Sequence, residues 1–124
     1  MVNKQDYINA INQNIDMIRG DNLAFNFQLS GLGSRSAYAD LIVTLAVAEH
    51  YDDVSIFECT NNKGITLENY DATSDTATFS VFVAPNKTKT LDLARYYYDL
   101  QIKDNSNVVT LMRGRLTLVY DVAD

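Results

Sequence analysis

In 124 residues the chain has one cysteine, one proline, one histidine and no tryptophan. The single cysteine, Cys59, excludes an internal disulfide and fits a reducing compartment or assembly inside a cell. Basic residues are few and scattered, 10 against 16 acidic ones, for a net charge of −6. A nucleic-acid backbone binder needs a basic cluster to displace counterions, and none exists, so that class is set aside. Long apolar runs are also missing. The longest, Leu41 to Ala48, is interrupted by Thr44 and falls far short of the ~20 residues a membrane helix needs. The start, Met-Val-Asn-Lys-Gln-Asp, has no apolar signal region, so the expectation is a product made in the cytoplasm.

What is present is enough for one domain. Hydrophobic residues make up 47% and charged residues 21%, which argues against disorder. Residues 1–18 differ from the rest. Ile8, Ile11, Ile15 and Ile18 repeat with heptad spacing, Asn3 is placed to cap a helix and Gly20 to end one. This predicts a short N-terminal helical arm, lying on its own domain or docking to a neighbour. A strand over Asn14–Arg19 is the alternative.

From Asn22 the period changes to two. Leu23, Phe25, Phe27 and Leu29 alternate with small or polar residues, as a half-buried strand does. Further strands are expected over 39–48, 54–60, from Ile65, over 77–83, 96–103 and 108–112, and from Leu116, with a bend at Gly114. Turn signals such as Asn61-Asn62-Lys63-Gly64 and Asp104–Asn107 separate them. Eight or nine short strands at this spacing, without strand–helix alternation, predict an antiparallel β-sandwich or barrel over residues 19–124. Phe25, Phe27, Phe79 and Val81 are the candidate core.

The segment Leu91-Asp92-Leu93-Ala94-Arg95-Tyr96-Tyr97-Tyr98 resembles the tyrosine corner of immunoglobulin-like domains. The resemblance makes Asp92 and Tyr96 the structural corner and the fold an immunoglobulin-like antiparallel β-sandwich; with the arm read from the isoleucine spacing, the expected fold is all-β with a short N-terminal α-helix. In a strand, Tyr96 and Tyr98 share one face and Tyr97 takes the other, toward solvent or a partner.

Four motifs in order carry a second resemblance. They are Gly20-Asp21-Asn22-Leu23-Ala24-Phe25-Asn26-Phe27-Gln28-Leu29, the turn Gly64-Ile65, Tyr96-Tyr97-Tyr98-Asp99-Leu100-Gln101-Ile102, and Val108-Val109-Thr110-Leu111-Met112-Arg113-Gly114-Arg115-Leu116, followed by Asp121-Val122. Together they resemble the N-terminal domain of phage baseplate upper proteins. The resemblance implies a virion structural module that joins larger parts of the tail, baseplate or fibre attachment region. Its implied partners are other virion proteins and copies of itself. A head-surface decoration protein or a fibre anchor also fits. On this reading Ile8, Ile11, Ile15, Ile18 and Tyr97 contact partners, and the location is the virion.

Catalytic chemistry has little to build on. His50 lies beside Glu49 and Tyr51 at a strand end, and Cys59 is its partner only if the fold joins them. Asp52-Asp53, Asp71 with Asp75, and Asp104-Asn105 are oxygen-rich loops without the calcium-loop spacing, and read as solvated turns. Arg19-Gly20-Asp21 spells an integrin tripeptide but reads better as a turn. No catalytic residue, metal or cofactor is expected, nor a nucleic-acid, membrane or small-molecule partner. The competing class is a carbohydrate- or host-surface-binding module, which requires exposed aromatic side chains on a sheet face or loop. The loops, rich in Ser, Asn, Asp and Gly, offer few.

Overall fold

A computed structural model describes residues 11–51, 53–105 and 107–120. Among these residues nine strands and one short α-helix follow in order: β1 (Ile11–Asn12), β2 (Ile15–Ile18), β3 (Leu23–Ser30), α1 (Arg35–Ala39), β4 (Ile42–Ala48), β5 (Phe57–Asn61), β6 (Gly64–Asp71), β7 (Thr76–Val83), β8 (Arg95–Asp104) and β9 (Asn107–Val119), with a 3-10 turn at Pro85–Lys87 between β7 and β8. The hydrogen-bonded order is β1-β9-β8-β4-β5-β6-β7-β3, with β2 also on β9. Most pairs are antiparallel, but β1 and β2 run parallel to β9.

The sheet folds into two facing layers at one point. β5 and β6 meet over only two residue pairs, Thr60 with Gly64 and Asn61 with Ile65. The tight turn between them places Asn62 at φ 63° and Gly64 at φ 101°. Glycine is needed at the second position for space as well as conformation. A Cβ there would lie 2.9 Å from the Phe82 carbonyl oxygen and 3.0 Å from Cys59. Past this turn the chain belongs to the β6-β7-β3 layer. Ile15, Met17, Leu23, Phe25, Leu45, Val47, Phe57, Val83 and Leu116 meet around one small apolar gap, so β3 and β7 face β2, β4 and β9 across the core.

Strict alternation builds that core. On β4 Val43, Leu45 and Val47 are buried, on β7 Ala77, Phe79, Val81 and Val83, and on β8 Tyr96, Tyr98, Leu100 and Ile102. Phe27 stacks on Phe79 with ring centroids 5.1 Å apart, while Phe25 and Phe27 themselves are only half-buried. Each large side chain so buried contributes about 1.5–3 kcal/mol.

The structure corrects three expectations. The described part of the proposed helical arm is extended. Ile11 pairs with Met112, and Ile15 to Ile18 pair with Leu116 to Val119. Met17 is buried and Asp16 exposed, a period of two rather than 3.6. A two-heptad helix is marginal alone, whereas the β9 edge offers a ready hydrogen-bonding partner for β-branched residues. Residues 1–10, including Ile8, lie outside the described residues. Second, the strand expected from Ala39 begins at Ile42, because α1 precedes it. Ser34 caps α1 by accepting from the Ala37 amide, and Tyr38 is fully buried at its end. Third, Gly114 does not bend its strand. β9 runs through it without a break, and Gly114 is there because the Gln13 backbone crosses directly over it.

Candidate functional site

The outer face of β4, β8 and β9 carries a cleft of about 270 Å3. Its floor is set by small side chains. Ala46 stands opposite Asp99 and Ala48 opposite Tyr97 across the β4–β8 pair, leaving a depression beside the larger β8 residues. Period-two alternation puts Tyr97, Asp99 and Gln101 together on this face, away from buried Tyr96, Tyr98 and Leu100. β9 contributes Arg113 opposite Asp99 and Thr110 opposite Gln101. The register slips by one residue at Leu100/Gln101, skipping Leu111, and this bulge brings Thr110 to its place. The β4–β5 connection forms the wall with His50, Tyr51, Asp53 and Ser55.

The aromatic groups are held against each other. The Tyr51 and Tyr97 rings lie 4.6 Å apart at 50°, and the His50 ring lies 6.3 Å from Tyr97. The Arg113 guanidinium sits 4.2 Å from the centre of the Tyr51 ring. Such a contact is worth about 0.5–1 kcal/mol at a partly exposed site and fixes the ring. Asp99 accepts a long hydrogen bond, 3.4 Å, from the Gln101 side-chain amide. Burial raises the Asp99 carboxyl above its ordinary range. The Arg113 charge pulls it back and Glu58 adds to the rise, leaving the net shift upward.

The other residues singled out from the sequence occupy separate places. Tyr96 donates its hydroxyl to the Asp92 carbonyl oxygen at 2.9 Å, tying the start of β8 to the preceding loop. Tyr98, on the same inward face, donates to the Gln13 carbonyl oxygen at 2.6 Å. Arg19-Gly20-Asp21 forms the turn between β2 and β3. Within it Gly20 is at φ 87°, its amide donates to buried Thr88, and Arg19 donates to the Leu91 carbonyl oxygen. Cys59 is buried, with its thiol pushed up by burial, while His50 is exposed in the cleft wall. Nothing in the sequence joins Tyr51 with Tyr97. Their partnership depends on how the β4–β5 connection folds back, and their separation of 46 positions carries no motif.

Asp75 does more than a solvated turn residue. Its carboxylate accepts from the Gly31 and Gly33 amides and from the Tyr38 and Tyr70 hydroxyls. Burial pushes its carboxyl up, but these four donors outweigh that and hold it below its ordinary value. The residue thus ties the β3–α1 loop to α1 and β6. Among the described residues no group of three or more His, Cys, Asp or Glu side chains could hold a metal ion. Nor is any described helix long and apolar enough to cross a membrane.

A second surface is the open edge of β3. Among the described residues β3 pairs only with β7, over all eight positions from Leu23 to Ser30. The outer strand edge, Leu-Ala-Phe-Asn-Phe-Gln-Leu-Ser, contains no charge, no proline and no bulge.

No family model and no curated protein matches the chain. Among solved structures it is similar to AggA, the major subunit of aggregative adherence fimbriae type I from Escherichia coli. The identity is 18%, covering 86% of this chain and 89% of that one, with a TM-score of 0.42.

Proposed function

We propose that the chain is a structural component of a phage virion. In this reading it is an immunoglobulin-like docking module of the tail, baseplate or fibre attachment region, and it assembles through protein–protein contacts, including contacts with copies of itself. The motifs that resemble the baseplate domain support the reading, because each one does structural work. Gly20 turns the chain into β3, Gly64 carries it from one layer to the other, the Tyr96–Ile102 segment lies within β8, and Gly114 admits the crossing of Gln13.

The observation that carries the assembly role is the β3 edge. Soluble proteins guard a long edge strand with charge, proline, a bulge or shortness, because unpaired amides and carbonyls invite another strand. β3 uses none of these over eight residues. A strand of a neighbouring subunit added to it would gain a row of main-chain hydrogen bonds.

Asn26 is exposed at mid-strand, and Asn26→Lys puts a guarding charge there. The variant is expected to keep its thermal midpoint, since such surface changes stay within about 0.5 kcal/mol. It is expected to lose self-association in sedimentation and to lose incorporation into particles. Incorporation equal to the parent chain would refute the edge. Mass spectrometry of purified virions, with copy number referenced to the major capsid protein, places the module. A small multiple of the tail symmetry means a tail or baseplate adaptor, a number near the capsid protein means head decoration, and absence overturns the virion reading.

A further inference from the structure

The cleft on the opposite surface from the core has the chemistry of a ligand site that the assembly role does not use. Three features coincide in it. Two tyrosine rings are fixed in place, one by a guanidinium stacked on it. A carboxylate, an amide, a guanidinium and a hydroxyl converge beside them from Asp99, Gln101, Arg113 and Thr110. The volume of about 270 Å3 lies near the lower end of small-molecule pockets, roughly 300–1,000 Å3, which is room for a single ring.

The fold does not need a carboxylate at Asp99. Its neighbours Ala46 and Arg113 are on the outer face, where alternation asks only for a polar or small residue. Partial burial of the charged form works against folding, and the Arg113 charge with one long hydrogen bond from Gln101 offsets only part of it. A carboxylate has about four acceptor positions, and Asp99 lines the cleft, so acceptor capacity is left over for a ligand.

We propose that this cleft binds one residue of a neutral saccharide. Tyr97 and Tyr51 lie against the C–H face of the sugar ring, Asp99 and the Gln101 carbonyl accept from its hydroxyls, and Arg113 donates to them. The mixture of rings with both donors and acceptors suits a polyol, which has an apolar face and a polar rim. Phosphate and other anions are disfavoured, because Asp53 and Asp99 line the cleft and Glu58 stands near Asp99, against the single guanidinium of Arg113. A wholly apolar ligand is disfavoured by the same groups, which it would leave unpaired. This site is independent of the β3 edge. Asn26→Lys alters nothing in the cleft, and the cleft variants below alter nothing in β3, so the two proposals fail separately.

The test is saturation-transfer NMR of the full chain with glucose, galactose, mannose, rhamnose and N-acetylglucosamine, with inorganic phosphate as the anionic control. At least one neutral sugar is expected to receive saturation, with the Tyr51 and Tyr97 ring signals shifting on titration. Tyr97→Ala and the near-isosteric Asp99→Asn are each expected to weaken binding about tenfold, the ratio one charge-assisted hydrogen bond or one ring contact supports. Circular dichroism and thermal melting check that both variants stay folded, and Asp99→Asn, which keeps the side-chain volume, serves if Tyr97→Ala does not. A purified surface polysaccharide that binds tighter than its monomer assigns the ligand to a cell-surface glycan, and equal binding assigns it to a free sugar; both support the site. Saturation from none of the five sugars overturns the proposal. So does binding unchanged in both variants, or phosphate competing as well as the sugars.

Discussion

Gly114→Ala sets two physical effects against each other, and the structure decides between them. Gly114 is not at a positive φ, so alanine meets no conformational penalty. Replacing glycine stiffens the unfolded chain, which by itself stabilises a protein by about 0.4–1 kcal/mol. Against this, the new Cβ would fall directly on the Gln13 carbonyl oxygen, 2.7 Å from the Gln13 carbonyl carbon and 3.3 Å from the Asn14 side-chain oxygen. These are backbone and hydrogen-bonded atoms rather than the flexible end of a side chain. The crossing is fixed by Gln13 N–H to the Arg113 carbonyl at 2.9 Å, Tyr98 O–H to the Gln13 carbonyl at 2.6 Å, and the Arg115 amide to Asn14 at 3.0 Å. Overpacking costs about 1–3 kcal/mol, and each hydrogen bond loosened costs about 1 kcal/mol more. After the entropic gain is subtracted, the variant is expected to lose about 2–3 kcal/mol. Urea unfolding followed by circular dichroism or tyrosine fluorescence reads this directly. Hydrogen exchange adds the location: the Gln13 and Arg19 amides, which donate to the Arg113 and Val119 carbonyls, should lose protection while those of β4 keep it. Removing residues 1–14 also removes the atoms in the way, so in that background the same substitution should become neutral or stabilising. A Gly114→Ala chain as stable as the parent would refute the close crossing and, with it, the placement of Gln13.

Two further predictions concern pH. Asp75 is held below its ordinary carboxyl pKa of 3.8, so its contribution to stability is present above that value and lost as pH falls through the lower folded-state pKa. Asp75→Asn should therefore flatten the stability curve between roughly pH 5 and pH 2, and a curve merely displaced in parallel would count against the role given to its four donors. Tyr98 behaves in the opposite sense. Burial pushes its hydroxyl from 10.0 to about 12, so its contribution is complete below pH 10 and lost as pH rises through about 12. An ultraviolet titration should show a tyrosine step at about pH 12 that Tyr98→Phe removes; if the step survives, Tyr98 is not the group buried against Gln13.

The β3 and β7 strands, the paired inward faces of Tyr96 and Tyr98, and the turn at 61–64 were legible because alternation and turn chemistry act within a few residues. The N-terminal isoleucines were not. Ile11 and Ile15 are four apart, an even number as well as a helical one, and only the presence of the β9 edge selects the extended form. α1 was hidden for a related reason. Ala39 and Leu41 continue the strand alternation of β4 in sequence, while the burial of Tyr38, with its hydroxyl bonded to Asp75 and Leu32, favours a helical turn instead. Gly114 looked like a bend because glycine has two uses, and sequence does not say whether it supplies freedom or space.

The sequence by itself therefore determined a β-rich domain, the inward and outward faces of strands such as β3, β7 and β8, and the outward position of Tyr97. Those follow from a period of two and from the conformational limits of single residues. Tertiary structure alone decided that Tyr51, Tyr97, Asp99 and Arg113 share one cleft, that Asp75 joins three segments, and that β3 is an edge among the described residues. Each of these depends on which strands pair and how connections fold back between residues far apart in the chain. Alternation along one strand fixes a face, but which strand is its neighbour is settled by the packing of the whole core.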